Sequence, residues 1–341
     1  MTAATDLDQL AFHLTRPGHG ILAADESTGT IEKRFTACGI SCSEETRRDY
    51  RTLLFTSPRF AEAIAGVILY EETLFQKAAD GDPMVRVLER QSVVPGIKVD
   101  KGAKPLAGYP GETVTEGLDG LRERLARYHE AGARFTKWRA VIAIAEGLPT
   151  SGALEANAEA LARYAALAQE QGFVPIVEPE VLMDGDHDID RCAGVTERTL
   201  RAVFAALARH RVRLEAMILK PNMVVDGKKH PRRSPPETVA ERTLGVLRRA
   251  VPAAVPAVAF LSGGQSPEEA TRNLDAMNRL GPHPWRLSFS FARALQEDAM
   301  RAWAGRTENV VRAQAAFARR AACNALATQG RYDGADNTSA A

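Results

Sequence analysis

Apolar residues in this chain fall in short runs separated by longer amphipathic stretches. Eight runs read as strands: GILAAD (20–25), AIAGVILYE (63–71), VVPGIKVD (93–100), RFTKWRAVI (134–142), FVPIVEP (173–179), EAMILKP (215–221), AVAFLSGG (257–264) and WRLSFSF (285–291). Between them lie helix-period stripes, such as Leu118, Leu121, Leu125 and Tyr128, or Leu200, Val203, Phe204 and Leu207. Ser266-Pro267-Glu268-Glu269 combines a capping box with proline at the first helical position, and Ser234-Pro-Pro-Glu237 repeats that pattern. Strands separated by helices imply parallel crossovers. Eight such units in a chain of this size predict an α/β fold, a single-domain (β/α)₈ TIM barrel, over an open sheet. The barrel is assigned to residues 1–330. The remainder, RYDGADNTSAA (331–341), is small, polar and glycine-containing, and is expected to be a short mobile tail.

Composition narrows the class. The 44 basic and 43 acidic side chains nearly cancel, so bulk charge gives no reason to expect nucleic acid or a membrane as partner. The longest apolar stretches, residues 63–69 and 251–261, fall well short of the ~20 residues that span a bilayer. The first ten residues have neither a basic segment nor a continuous apolar one, so a secretory signal is not expected. Cys38, Cys42, Cys192 and Cys323 read as reduced thiols of a cytoplasmic protein.

Lys220 is the most informative position. It ends an apolar run and precedes Pro221, which disfavours helical backbone before it, so Lys220 is held extended at a strand end. Burial there lowers an ammonium pKa. At a free value of roughly 10.4 almost no lysine is neutral at pH 7, whereas at ~7–8 a free amine becomes available to attack a carbonyl and form a Schiff base.

Other polar residues gather at the same ends of the predicted strands: Asp25, Lys98, Asp100, Lys137, Arg139, Glu178, Glu180, the Ser262-Gly263-Gly264 turn and Arg293. Barrel active sites lie at that face. Residues i and i+2 of a strand point the same way, so Lys137 and Arg139 face the pocket together while Trp138 turns toward the helices. An iminium on Lys220 acts as an electron sink, and forming it requires an acid to expel water. Glu178 suits that task if Glu180 and the desolvated barrel mouth keep one carboxyl protonated. Lys137 lowers the pKa of Lys220 further. Asp25 is the natural base for a substrate hydroxyl.

Two anion sites are expected. The Ser262-Gly263-Gly264 turn lets backbone N–H groups approach a phosphate, the following helix offers its positive end, and Arg293 joins there. Lys33, Arg34, Lys98 and Arg139 form a second basic set, which reads equally as surface charge. DGDHDIDRC (184–192) resembles a metal site in composition but reads as a solvated acidic loop. Imine chemistry requires no metal, and no cofactor is expected.

GHGILAADESTGTIEKRF, PGIKVDKG, FTKWRAVI, PIVEPEVLMDGDHD, LKPNMV, FLSGGQS and SFSFARALQ closely resemble class I fructose-bisphosphate aldolase, from about residue 7 to residue 332. The resemblance implies a metal-independent, usually tetrameric barrel acting on sugar phosphates. The reaction implied is reversible cleavage of fructose 1,6-bisphosphate to dihydroxyacetone phosphate and glyceraldehyde 3-phosphate. By motif position Lys220 is the Schiff-base lysine, Glu178 the dehydration acid, and Asp25 and Lys137 their neighbours. Ser262, Gly263 and Arg293 correspond to ketone-side phosphate ligands, and Arg34, Lys98 and Arg139 to the aldehyde-side end. The chain has Phe291-Ala292 where animal members tend to have Tyr-Gly, and Tyr332 lies too early to match their terminal tyrosine. Another Schiff-base barrel, such as a transaldolase or deoxyribose-phosphate aldolase, and a non-enzymatic sugar-phosphate-binding scaffold remain as alternatives.

Overall fold

In the computed structural model, which describes residues 2–334, eight parallel strands close into a barrel in sequential order. They are β1 (Gly20–Ala24), β2 (Ile64–Leu69), β3 (Val94–Lys98), β4 (Phe135–Ile142), β5 (Val174–Val181), β6 (Ile218–Leu219), β7 (Ala257–Phe260) and β8 (Arg286–Phe291). All eight expected strands are present, with helices on the crossovers, so the (β/α)₈ expectation holds. A two-stranded antiparallel hairpin (Ala103–Pro105 with Thr113–Thr115) after β3 was not anticipated. Its Thr115 hydroxyl donates to the Arg139 carbonyl at 2.7 Å and its Thr113 hydroxyl to that of Val141 at 3.2 Å, which brace the end of β4.

β6 is shorter than the expected 215–221. Leu214–Ala216 forms a 3₁₀ turn, and Pro221 has no N–H with which to continue the ladder. The Lys220 N–H still donates to the Val177 carbonyl at 2.8 Å, fixing the backbone under its side chain. The Ser234 capping box does not form either. Two prolines follow it, so the N-cap position of helix Pro236–Ala250 falls on Pro235, which has no side-chain oxygen, and the Ser234 N–H donates to Asp226 instead. The box at Ser266 does form, and both helix stripes are buried apart from the half-buried Leu118.

The core has two main parts. The larger packs helices against the outer face of the sheet and contains Trp138, stacked on Tyr164 with ring centroids 5.5 Å apart. The smaller fills the barrel interior with Ile21, Ala23, Ile68, Phe135, Val174, Ile176, Ile218 and Ala259, together with Ala11 and Leu14 of the N-terminal helix Thr2–Leu14. Phe135 needs the room that Gly66 and Gly96 leave. A Cβ at either position would approach its ring to 2.9 Å or closer.

The tail assigned to 331–341 begins attached to the barrel. Tyr332 is buried, its N–H donates to Asp275 at 2.8 Å and its carbonyl accepts from Arg279 at 2.7 Å. Residues 335–341 lie outside the described residues. Among the described residues no helix is long and apolar enough to cross a membrane, and none of the four cysteines is in a disulfide.

Candidate active site

Strand periodicity places the polar groups directly above the apolar plug. Four interior residues, Ala23, Phe135, Ile176 and Ile218, are each followed two positions later by Asp25, Lys137, Glu178 and Lys220. Each of the four polar residues therefore occupies the next inward-facing position at the C-terminal end of its strand. They meet in a cavity of about 380 Å³ whose lining also includes Arg34, Lys98, Arg139, Glu180, Ser262, Gly263, Gly264 and Arg293. The structure thus brings together every expected site residue except Lys33, which is exposed and lines a neighbouring groove.

The four central groups form one chain of charge contacts. Lys137 Nζ lies 2.6 Å from Asp25 Oδ2 and 3.3 Å from Glu178 Oε2, and Lys220 Nζ lies 3.2 Å from Glu178 Oε1. All are buried. Burial weakens both ammonium ions, yet the outcomes differ. Lys137 faces two carboxylates, which overcome burial and hold its pKa well above the ordinary lysine value. Lys220 touches only one and feels the Lys137 charge as well, so burial prevails and its pKa falls. Two lysines on one carboxylate are thereby pushed in opposite directions, Lys137 toward the charged form and Lys220 toward the neutral one.

The expectation of a protonated Glu178 in the free protein is not met. Burial favours the neutral acid, but Lys137, Lys220 and Arg139 outweigh it and hold the carboxyl below its usual range. Glu180, the expected source of repulsion, is itself paired with Arg139. Asp25 is likewise held low, burial being overcome by Lys137 and Lys220.

Gly263 and Gly264 follow β7 in a turn closed by Gln265 N–H donating to the Ser262 carbonyl at 3.0 Å. Both have positive φ, 58° and 93°, which glycine adopts readily. The Gln265 side chain donates to the same carbonyl and accepts from Asn273 at 2.7 Å, so the turn is braced from below. The helix after it has its Glu269 N–H taken by Ser266. Two helix N-termini at the cavity wall have neither a side-chain cap nor an acidic residue in the first turn, those of Thr28–Ala37 and Arg293–Trp303. Arg293 makes no ion pair among the described residues, leaving its guanidinium available to an anion.

On the opposite wall, Lys98 lies 3.3 Å from Asp100, whose other oxygen accepts the Arg139 N–H at 3.2 Å. Arg34 is held by a residue the sequence reading missed. Glu26 accepts from Arg34, from Arg51 at 2.6 Å and from Gln296 at 3.0 Å. Lys228, also unanticipated, reaches the cavity from the segment after β6. In the acidic stretch 184–192 the four aspartates are exposed as expected, and Asp188 caps helix Ile189–Arg209.

A closed parallel barrel with reactive groups gathered at the C-terminal ends of its strands is the architecture of a barrel enzyme. The family model for class I fructose-bisphosphate aldolase matches residues 6–341. The chain belongs to the class I fructose-bisphosphate aldolase family. It is 55% identical over 332 residues to cytosolic fructose-bisphosphate aldolase 6 of Arabidopsis thaliana, covering 97% of this chain and 92% of that one. It is 53% identical over 329 residues to a probable class 1 fructose-bisphosphate aldolase of Xanthomonas campestris pv. campestris, covering 96% and 98%. Among solved structures, the Plasmodium falciparum fructose-bisphosphate aldolase, in complex with TRAP and a small-molecule inhibitor, superimposes with a TM-score of 0.96. That match is at 48% identity and covers 98% of this chain and 96% of that one.

Proposed function

We propose that the protein cleaves fructose 1,6-bisphosphate reversibly to dihydroxyacetone phosphate and glyceraldehyde 3-phosphate through an imine on Lys220. The observation that carries this is the buried sequence Asp25–Lys137–Glu178–Lys220 in a cavity that Arg34, Lys98, Arg139 and Arg293 also line. Lys220 and Glu178 in contact hold one dissociable proton between them. Moving it from Nζ to the carboxylate converts a buried ion pair into a neutral amine and a neutral acid, a change that low polarity favours. The amine attacks the ketone carbon. The protonated Glu178 then gives its proton to the departing hydroxyl, leaving the iminium. Asp25 takes the C4 hydroxyl proton as the C3–C4 bond breaks and its electrons enter the iminium, releasing the aldehyde product. Protonation of the remaining enamine and hydrolysis free the second product. Lys137 stays charged and keeps Asp25 and Glu178 oriented.

Ser262, Gly263, Gly264 and Arg293 are assigned to the ketone-side phosphate, and Arg34, Lys98 and Arg139 to the other end. Lys33 keeps at most an outer role, because it does not line the cavity. A transaldolase or deoxyribose-phosphate aldolase reading would leave one of these cation groups without a phosphate. We assign no metal or cofactor to the reaction, since the iminium serves as electron sink. The cytosolic relatives support a cytoplasmic location. The family supports a tetramer, for which exposed Phe12, Phe75, Leu280 and Val311 offer apolar surface. The test is an assay in EDTA against the bisphosphate, fructose 1-phosphate and deoxyribose 5-phosphate. Turnover of the first with none of the last is expected. Loss of all activity on chelation, restored by zinc, would overturn the mechanism.

A further inference from the structure

We infer that Lys228 is a ligand of the ketone-side phosphate, held ready by Asp184; this rests on the phosphate assignment just made. The placement is fixed by backbone. The segment after β6 runs beside the one after β5, with Lys228 N–H donating to the Met183 carbonyl at 2.6 Å. Gly227 N–H donates to the His187 carbonyl at 2.8 Å and Lys229 N–H to that of Gly185 at 3.0 Å. These contacts set the Lys228 side chain over the glycine turn. A methyl group built on Gly264 would fall 2.8 Å from Lys228 Nζ and 3.3 Å from an Arg293 guanidinium nitrogen. The two cations therefore flank the turn together, above the backbone that approaches an anion.

Charge balance gives the second argument. A phosphomonoester carries roughly −1.5 to −2 at pH 7 and offers three acceptor oxygens. Arg293 supplies one positive charge. Lys137 is committed to two carboxylates, and Lys220 must be neutral when it attacks. Lys228 is the remaining cation beside the turn. Its partner among the described residues is Asp184, with Oδ1 2.7 Å from Nζ. That pair sits at the cavity mouth, the lysine side chain 37% and the aspartate 61% exposed, so water screens it and a dianion can take the ammonium over. Asp184 thus keeps Lys228 extended over the turn between turnovers.

Borohydride trapping at graded concentrations of dihydroxyacetone phosphate, with unphosphorylated dihydroxyacetone alongside, tests this. Lys228→Met should raise the half-saturating concentration of the phosphate ester about tenfold and leave dihydroxyacetone unchanged. Asp184→Asn removes the competing charge but keeps the lysine and a side-chain oxygen that can accept from it and hold it over the turn, so it should tighten the ester or leave it unchanged. A purely structural pair would make both variants weaken it alike. Lys229→Met removes an exposed neighbouring charge outside the cavity and should shift the ester less than about twofold, as expected for a screened charge. An unshifted ester in Lys228→Met, an equal shift in Lys229→Met, or equal losses for both ligands would overturn the assignment. A wild-type protein that dihydroxyacetone phosphate does not label at all contradicts the imine reading itself, and this assignment with it.

Discussion

Lys137 and Lys220 hold opposite oxygens of the same carboxylate, at 3.3 Å from Oε2 and 3.2 Å from Oε1 of Glu178. The asymmetry between them comes from Asp25, which touches only Lys137. The Lys137 pKa is therefore raised and that of Lys220 lowered, which is the basis for assigning the nucleophile to Lys220.

The pH dependence of imine formation should follow from this arrangement. Lys220 is lowered by burial and by Lys137, and Glu178 works against both. In Lys137→Met the repulsion is gone and Glu178 pairs with Lys220 alone, and both changes raise the Lys220 pKa. The pH of half-maximal imine formation in single-turnover stopped flow should move to the alkaline side. No shift, or an acid one, would mean that Lys137 does not tune the nucleophile.

Glu178→Gln should slow carbinolamine dehydration by roughly 10²–10⁴. The substitution also removes the charge that raises the Lys220 pKa, so the amine becomes easier to deprotonate. Slower imine formation in this variant would then report the missing acid rather than a charged nucleophile. Wild-type single-turnover rates would pass the role to another group, Glu180 first.

The two ends of the substrate should separate by mutation. Arg293→Ala removes a charge-assisted contact worth roughly 1.5–3 kcal/mol and should penalise the bisphosphate and fructose 1-phosphate equally. Arg139→Ala should penalise the bisphosphate and nearly spare fructose 1-phosphate. It also leaves the buried Glu180 without its partner, so some loss of folded protein is expected. The ratio of kcat/KM values for the two substrates cancels that loss. Equal penalties in Arg139→Ala would remove it from the aldehyde-side site.

Glu26 should matter for stability as well as for Arg34. Arg51 is buried beside it, and taking away the carboxylate strands that charge. Glu26→Gln should cost about 3–5 kcal/mol in denaturant unfolding at pH 7. Burial opposes the charged form of Glu26, but Arg51 and Arg34 lower its folded pKa below the unfolded one. Its contribution is therefore complete above the unfolded value near ~4.3 and disappears as pH falls through the folded value. The gap between wild type and Glu26→Gln should narrow below about pH 4. A gap that widens with acid would contradict the pairing.

The barrel was legible because every strand carries a local signal and the period of two carries each polar residue to the mouth. Asp25, Lys137, Glu178 and Lys220 follow from that pattern alone. What escaped depends on chain neighbours that meet only after folding. Glu26 is next to Asp25 and reads as a solvated strand end until Arg51, on a distant helix, covers it. Lys228 looks like part of an exposed Lys-Lys-His run until the Met183–His187 segment turns it over Gly264. The ionisation of Glu178 is hidden in the sequence for the same reason. Its carboxylate neighbour Glu180 is visible in sequence, whereas the three cations that outweigh burial arrive from β4 and β6. The Ser234 box failed locally, since a second proline displaced the cap by one residue.

The central claim is that Lys220 is the residue that becomes covalently bound. Borohydride reduction in the presence of dihydroxyacetone phosphate, followed by digestion and peptide mass mapping, addresses it directly. The adduct should lie on Lys220, with stoichiometric loss of cleavage activity, and Lys220→Arg should be neither labelled nor active because guanidinium does not deprotonate. An adduct on Lys137 with Lys220 unmodified would contradict the account.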